Sequence, residues 1–193
     1  MKTKDVITSA VFSVLSMVGM LAAAVTNVSG HTAILYPPVA AFFMGLLLFI
    51  LLTKIPKKGT IMIFCIVPAL YFLTTGLLEG IIGIASILLF AFIAECVVSK
   101  DRASASRISA ACVIYTLSYS TTGMAENFLF TDHYCKSALE HGINAKVVSD
   151  MQQMYEIKPL WIAVIAATAL LTFLGTLVAK GITKRHLKKV GMA

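Results

Sequence analysis

The sequence predicts an all-α protein, a polytopic membrane bundle of six transmembrane helices with both termini in the cytoplasm. Hydrophobic residues make up 59% of the 193 residues and charged residues only 13%, about half the charged share of a soluble domain. The apolar residues fall into runs of about 20, the length that crosses the hydrocarbon core of a bilayer as a helix. The basic residues stand in short clusters between these runs, as they do in membrane proteins.

The apolar runs give the positions of the predicted helices in a single domain covering residues 1–193. We expect them at residues 6–25, 33–52, 60–78, 80–98, 108–128 and 160–179. The first run is of full spanning length and no small-residue cleavage site follows it, which favours a retained helix over a signal peptide. A basic cytoplasmic tail, residues 180–193, follows the last helix.

The distribution of lysine and arginine predicts the orientation of the bundle. With the N-terminus inside, 13 of the 16 basic residues fall in inner segments, and only Lys136, Lys146 and Lys158 fall outside. Positive residues accumulate on the cytoplasmic side of membrane proteins. The bias recurs at each inner segment, so an odd number of helices would break the alternation.

A polar stretch between the fifth and sixth helices, residues 131–157, cannot cross a membrane. Its apolar residues recur at spacings of three to five, with acidic residues between them, which predicts an amphipathic helical segment on the outer side. Two interpretations stay open. The segment covers the outer mouth of the bundle, or it is an interfacial helix with no role in ligand binding.

Polar and aromatic residues gather at the outer ends of the predicted helices. Apolar walls with a few convergent polar groups suit a small ligand, so we expect a substrate site there formed by His31, Tyr36, Glu79, Tyr119, Thr122, Glu126, Asn127 and Trp161. Ionisable groups at membrane depth are costly and suggest function, although Glu79 and Glu126 could also simply mark the interface. Tyr36 and Trp161 also fit an interfacial aromatic belt.

Catalytic and metal-binding motifs are not found in the sequence. The four cysteines lack metal-ligand spacing, and no phosphate-binding loop or pair of carboxylates at helical spacing lies within a span. We therefore predict no enzymatic activity, no metal site and no resident cofactor. The clustered basic residues indicate membrane topology rather than nucleic-acid binding. Glu95, near the inner end of the fourth helix, is expected to pair with Lys100 or Arg102.

Small residues at spacings of four occur on the first and last predicted helices. Ser9 and Ser13 form such a pair on the first helix, and Gly175 and Ala179 on the last. Small residues let helices approach closely. These pairs indicate packing inside the bundle, or alternatively a groove for another membrane protein.

Three segments carry a resemblance to a known family that spans nearly the whole chain. They read MKTKDVI at residues 1–7, LTKIPKKG at residues 52–59 and KRHLKKVGM at residues 184–192. Together they resemble the Trep_Strep family of bacterial membrane proteins and, more broadly, the substrate-binding S component of energy-coupling factor (ECF) transporters.

The resemblance implies a transport function in the bacterial plasma membrane. An S component captures a micronutrient at its outer face, while a membrane-embedded T component and two cytoplasmic ATPases supply energy. Ser9 and Ser13 match the position of small residues that contact the T component in such proteins. The lack of a nucleotide-binding loop agrees with ATP being handled by a partner.

Two other classes of function stay open at this point. The chain could be a membrane enzyme or an accessory subunit of one, or a scaffold without a ligand. The sequence also leaves the substrate open. Aromatic residues suit a ring system, the outer acids suit a cationic ligand, and His31, His133 and the methionines leave room for a metal-bearing macrocycle such as haem or a cobamide.

Overall fold

The computed structural model describes residues 1–74, 77–121 and 124–189, without the side chains of residues 74, 77–79, 126 and 186–189. Each regular element in these ranges is helical, which confirms the predicted all-α class. The helices are α1 (Thr3–Ala23), α2 (Gly30–Ala33), α3 (Tyr36–Lys54), α4 (Thr60–Phe64), α5 (Ile66–Tyr71), α6 (Leu77–Ser99), α7 (Ala105–Ser120), α8 (Ala125–Leu129), α9 (Thr131–Glu140), α10 (Ala145–Glu156) and α11 (Lys158–Lys189). Short 3-10 turns follow α1 and α5, at Ala24–Val28 and Phe72–Thr74.

Helices α3 and α7 form the centre of the bundle. Helix α3 packs against α1, α7 and α11, and α7 packs against α3, α6 and α11. Helices α4 and α5 fill the space between α1 and α6. Most of the largest fully buried side chains therefore come from the central helices and from α4, and include Met44, Leu48, Phe64 and Tyr115.

Helix α1 shows that the outer surface of the bundle is suited to lipid. Its buried face carries small and hydroxyl-bearing residues, among them Ser9, Ser13, Ser16 and Gly19. Its exposed face carries aliphatic residues, namely Val6, Ile7, Val11, Val14, Leu15, Val18 and Leu21. This pattern is the reverse of a soluble helix, which buries its apolar stripe, and only an apolar solvent stabilises it.

Four helical segments are long and apolar enough to cross a membrane among the described residues. They are Thr3–Val28, Gly30–Lys54, Gly80–Ser99 and Lys158–Arg185. They correspond to the first, second, fourth and sixth predicted helices. The third and fifth are shorter than expected, and each differs from its prediction for a physical reason.

The third predicted helix, residues 60–78, is broken. Helix α4 ends at Phe64, α5 begins at Ile66, and the 3-10 turn Phe72–Thr74 follows. Pro68 is the cause, because proline has no backbone N–H and its ring clashes with the preceding turn. In an unbroken helix the carbonyl of Phe64 would accept a hydrogen bond from the N–H of residue 68. Here it accepts a hydrogen bond from the Ser13 hydroxyl at 2.6 Å instead.

The fifth predicted helix, residues 108–128, is wrong in its second half. Helix α7 begins at Ala105 and ends at Ser120, and α8 begins separately at Ala125. Serine and threonine hydroxyls compete for backbone carbonyls and so favour helix ends. Here the hydroxyl of Thr121 donates to the carbonyl of Leu117 at 2.6 Å, and Thr121 leaves the helical conformation.

The predicted basic tail is part of a helix. Helix α11 runs over 32 residues to Lys189, so the sixth predicted helix, residues 160–179, extends through most of residues 180–193. Lysine and arginine are good helix formers, and their charge is favourable near a helix C-terminus.

At one end of the bundle, which we call the basic end, the segments that the sequence assigns to the inner side contact one another. The Lys57 ammonium lies 2.6 Å from the Asp5 carboxylate, and Arg102 donates to the carbonyl of Lys57 at 2.7 Å. Glu95 pairs with Arg102, as predicted. The Glu95 carboxylate also accepts the free backbone N–H groups of Gly59, at 2.9 Å, and Ile61, at 3.3 Å, at the start of α4.

The other end of the bundle carries a cap formed by α2, α8, α9 and α10. The polar stretch 131–157 is amphipathic, as expected, and forms two helices, α9 and α10, separated at Gly142, which adopts a positive φ of 81°. Gly30 lies directly against α10, where a Cβ atom would stand 2.6 Å from the backbone nitrogen of Met151. Helix α2, in the segment between α1 and α3, therefore packs directly against α10.

Candidate functional site

Two tyrosines of α7 form the polar centre of the candidate site. Tyr115 and Tyr119 lie one turn apart on the same helix face and are almost fully buried. Their hydroxyl oxygens are 3.4 Å apart, and their rings meet edge to face with centroids 6.2 Å apart. We call them the tyrosine pair. They lie in the half of α7 nearer the cap.

The hydrogen-bonding capacity of the tyrosine pair is not exhausted by this contact. Each phenol offers one donor and can accept hydrogen bonds. One hydrogen bond links the two oxygens, so only one of the two protons is used there, and no other hydrogen bond of either hydroxyl is found among the described residues. The pair thus keeps one hydroxyl proton for a further acceptor.

Aromatic and thiol groups surround the tyrosine pair. Phe72, at the end of α5, lies with its ring centroid 6.1 Å from that of Tyr119, and Phe64 packs edge to face on Tyr115 at 5.7 Å. Tyr36, at the start of α3, lies within electrostatic reach of Tyr119, as does the buried Cys65 thiol. The surroundings of the pair are therefore apolar rings with a few polar groups, the residue types that line small-molecule sites.

A second aromatic group, the cap cluster, joins α8 and α10 of the cap to the start of α11. The rings of Phe128 and Trp161 stack with centroids 5.7 Å apart and an interplanar angle of 8°, and Tyr155 meets Phe128 edge to face at 5.0 Å. The Trp161 indole donates to the carbonyl of Ser120 at 2.6 Å. This bond ties the cap cluster to the residue that follows the tyrosine pair.

Two polar side chains hold the cap cluster in place. Lys158 donates to the carbonyl of Phe128 and to the hydroxyl of Thr131 at 3.2 Å, so its charge serves the C-terminal end of α8. Burial raises the pKa of the Tyr155 phenol above its ordinary value, while a hydrogen bond with the Asn127 side chain acts in the opposite direction. Tyr155 accordingly stays neutral at physiological pH.

The outer rim of the cap carries a contact between a histidine and a carboxylate of two different elements. The His31 ring lies 3.6 Å from the Asp150 carboxylate, and the His31 side chain is 56% exposed. His133 is also exposed, on α9. Neither histidine reaches the tyrosine pair. Within the described part of the chain, no group of three histidine, cysteine or acidic side chains could hold a metal ion.

The predicted site residues therefore separate into three places. Tyr36 and Tyr119 lie at the tyrosine pair, Asn127 and Trp161 lie in the cap cluster, and His31 lies on the rim. The remaining three fall outside the described residues or side chains, namely Glu79, Thr122 and Glu126.

One known protein family matches nearly the whole chain. The family model described as a hypothetical bacterial integral membrane protein (Trep_Strep) matches residues 3–189. The chain belongs to the Trep_Strep family. No curated protein and no solved structure matches it. The family description agrees with the exposed aliphatic surface of the bundle. The chain is therefore a bacterial integral membrane protein.

The predicted partner contacts occupy internal positions in this Trep_Strep protein. Ser9 and Ser13 are fully buried. The Ser9 hydroxyl donates to the Asp5 carbonyl of its own helix at 2.9 Å, whereas the Ser13 hydroxyl serves the break between α4 and α5. In this conformation neither side chain is presented to a T component, so the exposed aliphatic face of α1 is the part of that helix open to a partner.

Four residues of the two aromatic groups in this Trep_Strep protein were not predicted from the sequence, namely Phe72, Tyr115, Phe128 and Tyr155. The sequence carried a signal for Tyr115, since it precedes Tyr119 by four residues and residues at that spacing share a helix face. Phe128 and Tyr155 carried none, because they come together only when α10 folds back on α8.

Proposed function

We propose that this chain is the substrate-capture S subunit of an ECF-type importer. It binds a small micronutrient at its outer face and delivers it inward when coupled to a T component and two cytoplasmic ATPases. In this proposal the bundle spans the bacterial plasma membrane six times, with both termini inside. The shorter helices, α4–α5 and α7, complete the six alongside the four longer spans.

One observation carries the proposal. The tyrosine pair lies in an aromatic-lined interior beneath the cap, and its 3.4 Å contact uses one of its two hydroxyl protons. Among the described residues the other proton has no hydrogen-bond acceptor, so a ligand that accepts a hydrogen bond from it would be stabilised there. The family match over residues 3–189 supports a membrane role for the whole chain.

The chemistry of the pair favours a ligand with a planar ring and a hydrogen-bond acceptor. Aromatic side chains stack on planar rings and contribute about 0.5–1.5 kcal/mol per contact beyond burial. Tyr119 and Phe72 supply such faces, and Tyr36 packs against the same hydrophobic core. Because Tyr115 and Tyr119 are buried, a ligand reaches them only after the segments above them open, which makes the cap the moving part.

The first experiment identifies the ligand and tests the pair together. The full chain is purified in mild detergent and its retained small molecules are identified by mass spectrometry. We expect one compound at near-stoichiometric amount, and we expect Tyr119→Phe to weaken its binding about five- to tenfold, the size of one neutral hydrogen bond. Tyr134→Phe, in the cap, is the matched control and should bind as the parent does.

Several outcomes would overturn the proposal. Absence of any saturable small-molecule ligand would favour a scaffold. Equal binding by Tyr119→Phe and Tyr134→Phe would remove the pair from the site. Purification from the native host should also recover a T component and two ATPases, and their absence would contradict the assignment to an ECF importer. Conversion of the retained compound to a product by the isolated chain would favour an enzyme.

A further inference from the structure

A groove opens on the side of the bundle, between α7 and α11. Its volume is about 550 Å³. Its walls are small or apolar apart from two serines and one lysine, and they are Ala105, Ser106, Ser109, Ala110, Val113 and Ile114 of α7 with Phe173, Leu177 and Lys180 of α11. It is separate from the tyrosine pair and from the cap.

The groove lies in the half of the membrane at the basic end. Helix α7 begins at Ala105, directly after the loop in which Arg102 contacts the carbonyl of Lys57. From Ala105 to Ile114 the helix rises about 13 Å at 1.5 Å per residue. The hydrocarbon of one leaflet is about 15 Å deep, half of the bilayer core. The groove therefore runs the depth of a single leaflet.

The polar groups of the groove stand at its basic end. Ser106 lies in the first turn of α7, and Lys180 lies in the part of α11 that follows the buried Ala179. Lys180 is exposed, and none of the ion pairs among the described residues includes it. Its ammonium group is thus available at the level where phospholipid headgroups begin.

We propose that this groove binds an anionic phospholipid of the leaflet at the basic end. One acyl chain lies along Ala110, Val113 and Leu177, and the headgroup phosphate contacts the Lys180 ammonium and the Ser106 hydroxyl. This inference is independent of the proposed transport function, because it uses none of the residues of the tyrosine pair or the cap.

Charge favours a lipid over a helix of another subunit, because the exposed Lys180 stands at the polar end of the groove. A groove on a lipid-facing surface does not stay empty, because its lining would lose dispersion contacts. The lysine adds an attraction for anionic headgroups that a zwitterionic lipid cannot match.

The test measures which lipid the full chain keeps. The protein is purified in mild detergent, equilibrated with equal amounts of phosphatidylglycerol and phosphatidylcholine, and examined by native mass spectrometry. We expect phosphatidylglycerol to be retained in preference. Lys180→Gln should reduce that preference about fivefold, the effect of one lysine at an anionic surface, without loss of phosphatidylcholine. Lys184→Gln, exposed one turn further along α11, is the control.

A second variant tests the apolar part of the groove. Ala110→Leu adds three carbon atoms to the groove wall and should reduce retention of both lipids, whereas Ala166→Leu, exposed on α11 outside the groove, should not. Equal retention of the two lipids by the parent, or a phosphatidylglycerol preference unchanged in Lys180→Gln, would overturn the proposal. Unchanged lipid retention by Ala110→Leu would count against an acyl chain and favour another occupant.

Discussion

Single side chains repair the places where backbone hydrogen bonding is interrupted in this chain. The Ser13 hydroxyl donates to the Phe64 carbonyl at 2.6 Å and accepts from the Val67 N–H at 3.2 Å, on the two sides of the break before Pro68. The Trp161 indole N–H likewise donates a hydrogen bond to the carbonyl of Ser120 at the end of α7. In lipid no water replaces such bonds, so each of these side chains holds a particular helix end in place.

Removal of the Ser13 hydroxyl should destabilise the bundle. We expect Ser13→Ala to lower the free energy of unfolding by about 1 kcal/mol, because two backbone groups lose their partner. Thermal unfolding in mild detergent measures the change. Ser9→Ala is the matched control, since Ser9 is equally buried on the same face but bonds only to its own helix. A loss in Ser9→Ala as large as in Ser13→Ala would show that cavity formation, not the repair of the break, sets the cost.

At the scale of elements, α3 and α11 pack so closely that glycine is needed between them. A Cβ atom on Gly175 would lie closer than 3.0 Å to the Phe42 carbonyl oxygen and 3.3 Å from the backbone nitrogen of Leu46. Backbone atoms cannot move aside as a flexible side chain can. On the same contact face, the hydroxyls of Thr172 and Thr116 lie 2.7 Å apart and link α11 to α7.

Substitution of Gly175 should separate the two helices. We expect Gly175→Ala to cost about 1–3 kcal/mol of folding free energy, the range for an overpacked core. Gly181→Ala on the same helix meets nothing within 4 Å and should be neutral or stabilising by up to about 1 kcal/mol, because alanine favours the helix. Parallel unfolding curves of the two variants in detergent make the comparison. Equal stability of both variants would contradict the close approach of α3 and α11.

The loops of the basic end are tied together by the Glu95–Arg102 pair. Both side chains are 14% exposed, whereas Lys57 in the pair with Asp5 is 43% exposed. We expect Glu95→Gln to destabilise the protein by about 2 kcal/mol, since Arg102 loses its charged partner, and Lys57→Gln by less than about 1 kcal/mol. A double variant, Glu95→Gln with Arg102→Gln, should recover part of the loss, and purely additive losses would exclude coupling between the two.

At the scale of the whole molecule, the segments rich in lysine and arginine share one end and the cap occupies the other. In intact cells, a single cysteine placed at His141 in the cap should react with a membrane-impermeant maleimide. One placed at Lys54 should react only after permeabilisation. Both variants are made in a chain in which the exposed Cys96 is replaced by serine. Labelling of both positions from outside, or of neither, would contradict the predicted orientation.

Much of the fold was predictable because a bilayer restricts the composition of the segments that cross it. Runs of about 20 apolar residues gave the positions of α1, α3, α6 and α11, since every spanning segment must satisfy its backbone as a helix. The spacing of apolar residues also predicted the amphipathic stretch that forms α9 and α10. Tyr36 and Tyr119 were among the candidate ligand residues, and both pack in the main hydrophobic core, where their role in binding stays a prediction.

The sequence by itself determined the helical class, the membrane-suited surface and the segregation of basic residues, because these depend on local composition. Only the tertiary structure decided that α7 ends at Ser120, that Pro68 splits the third helix, and that Ser9 and Ser13 face inward. It also decided that Tyr115 joins Tyr119 while Trp161 joins Phe128 in a separate group. These features depend on which partners distant segments provide to each other, and hydropathy does not encode such pairings.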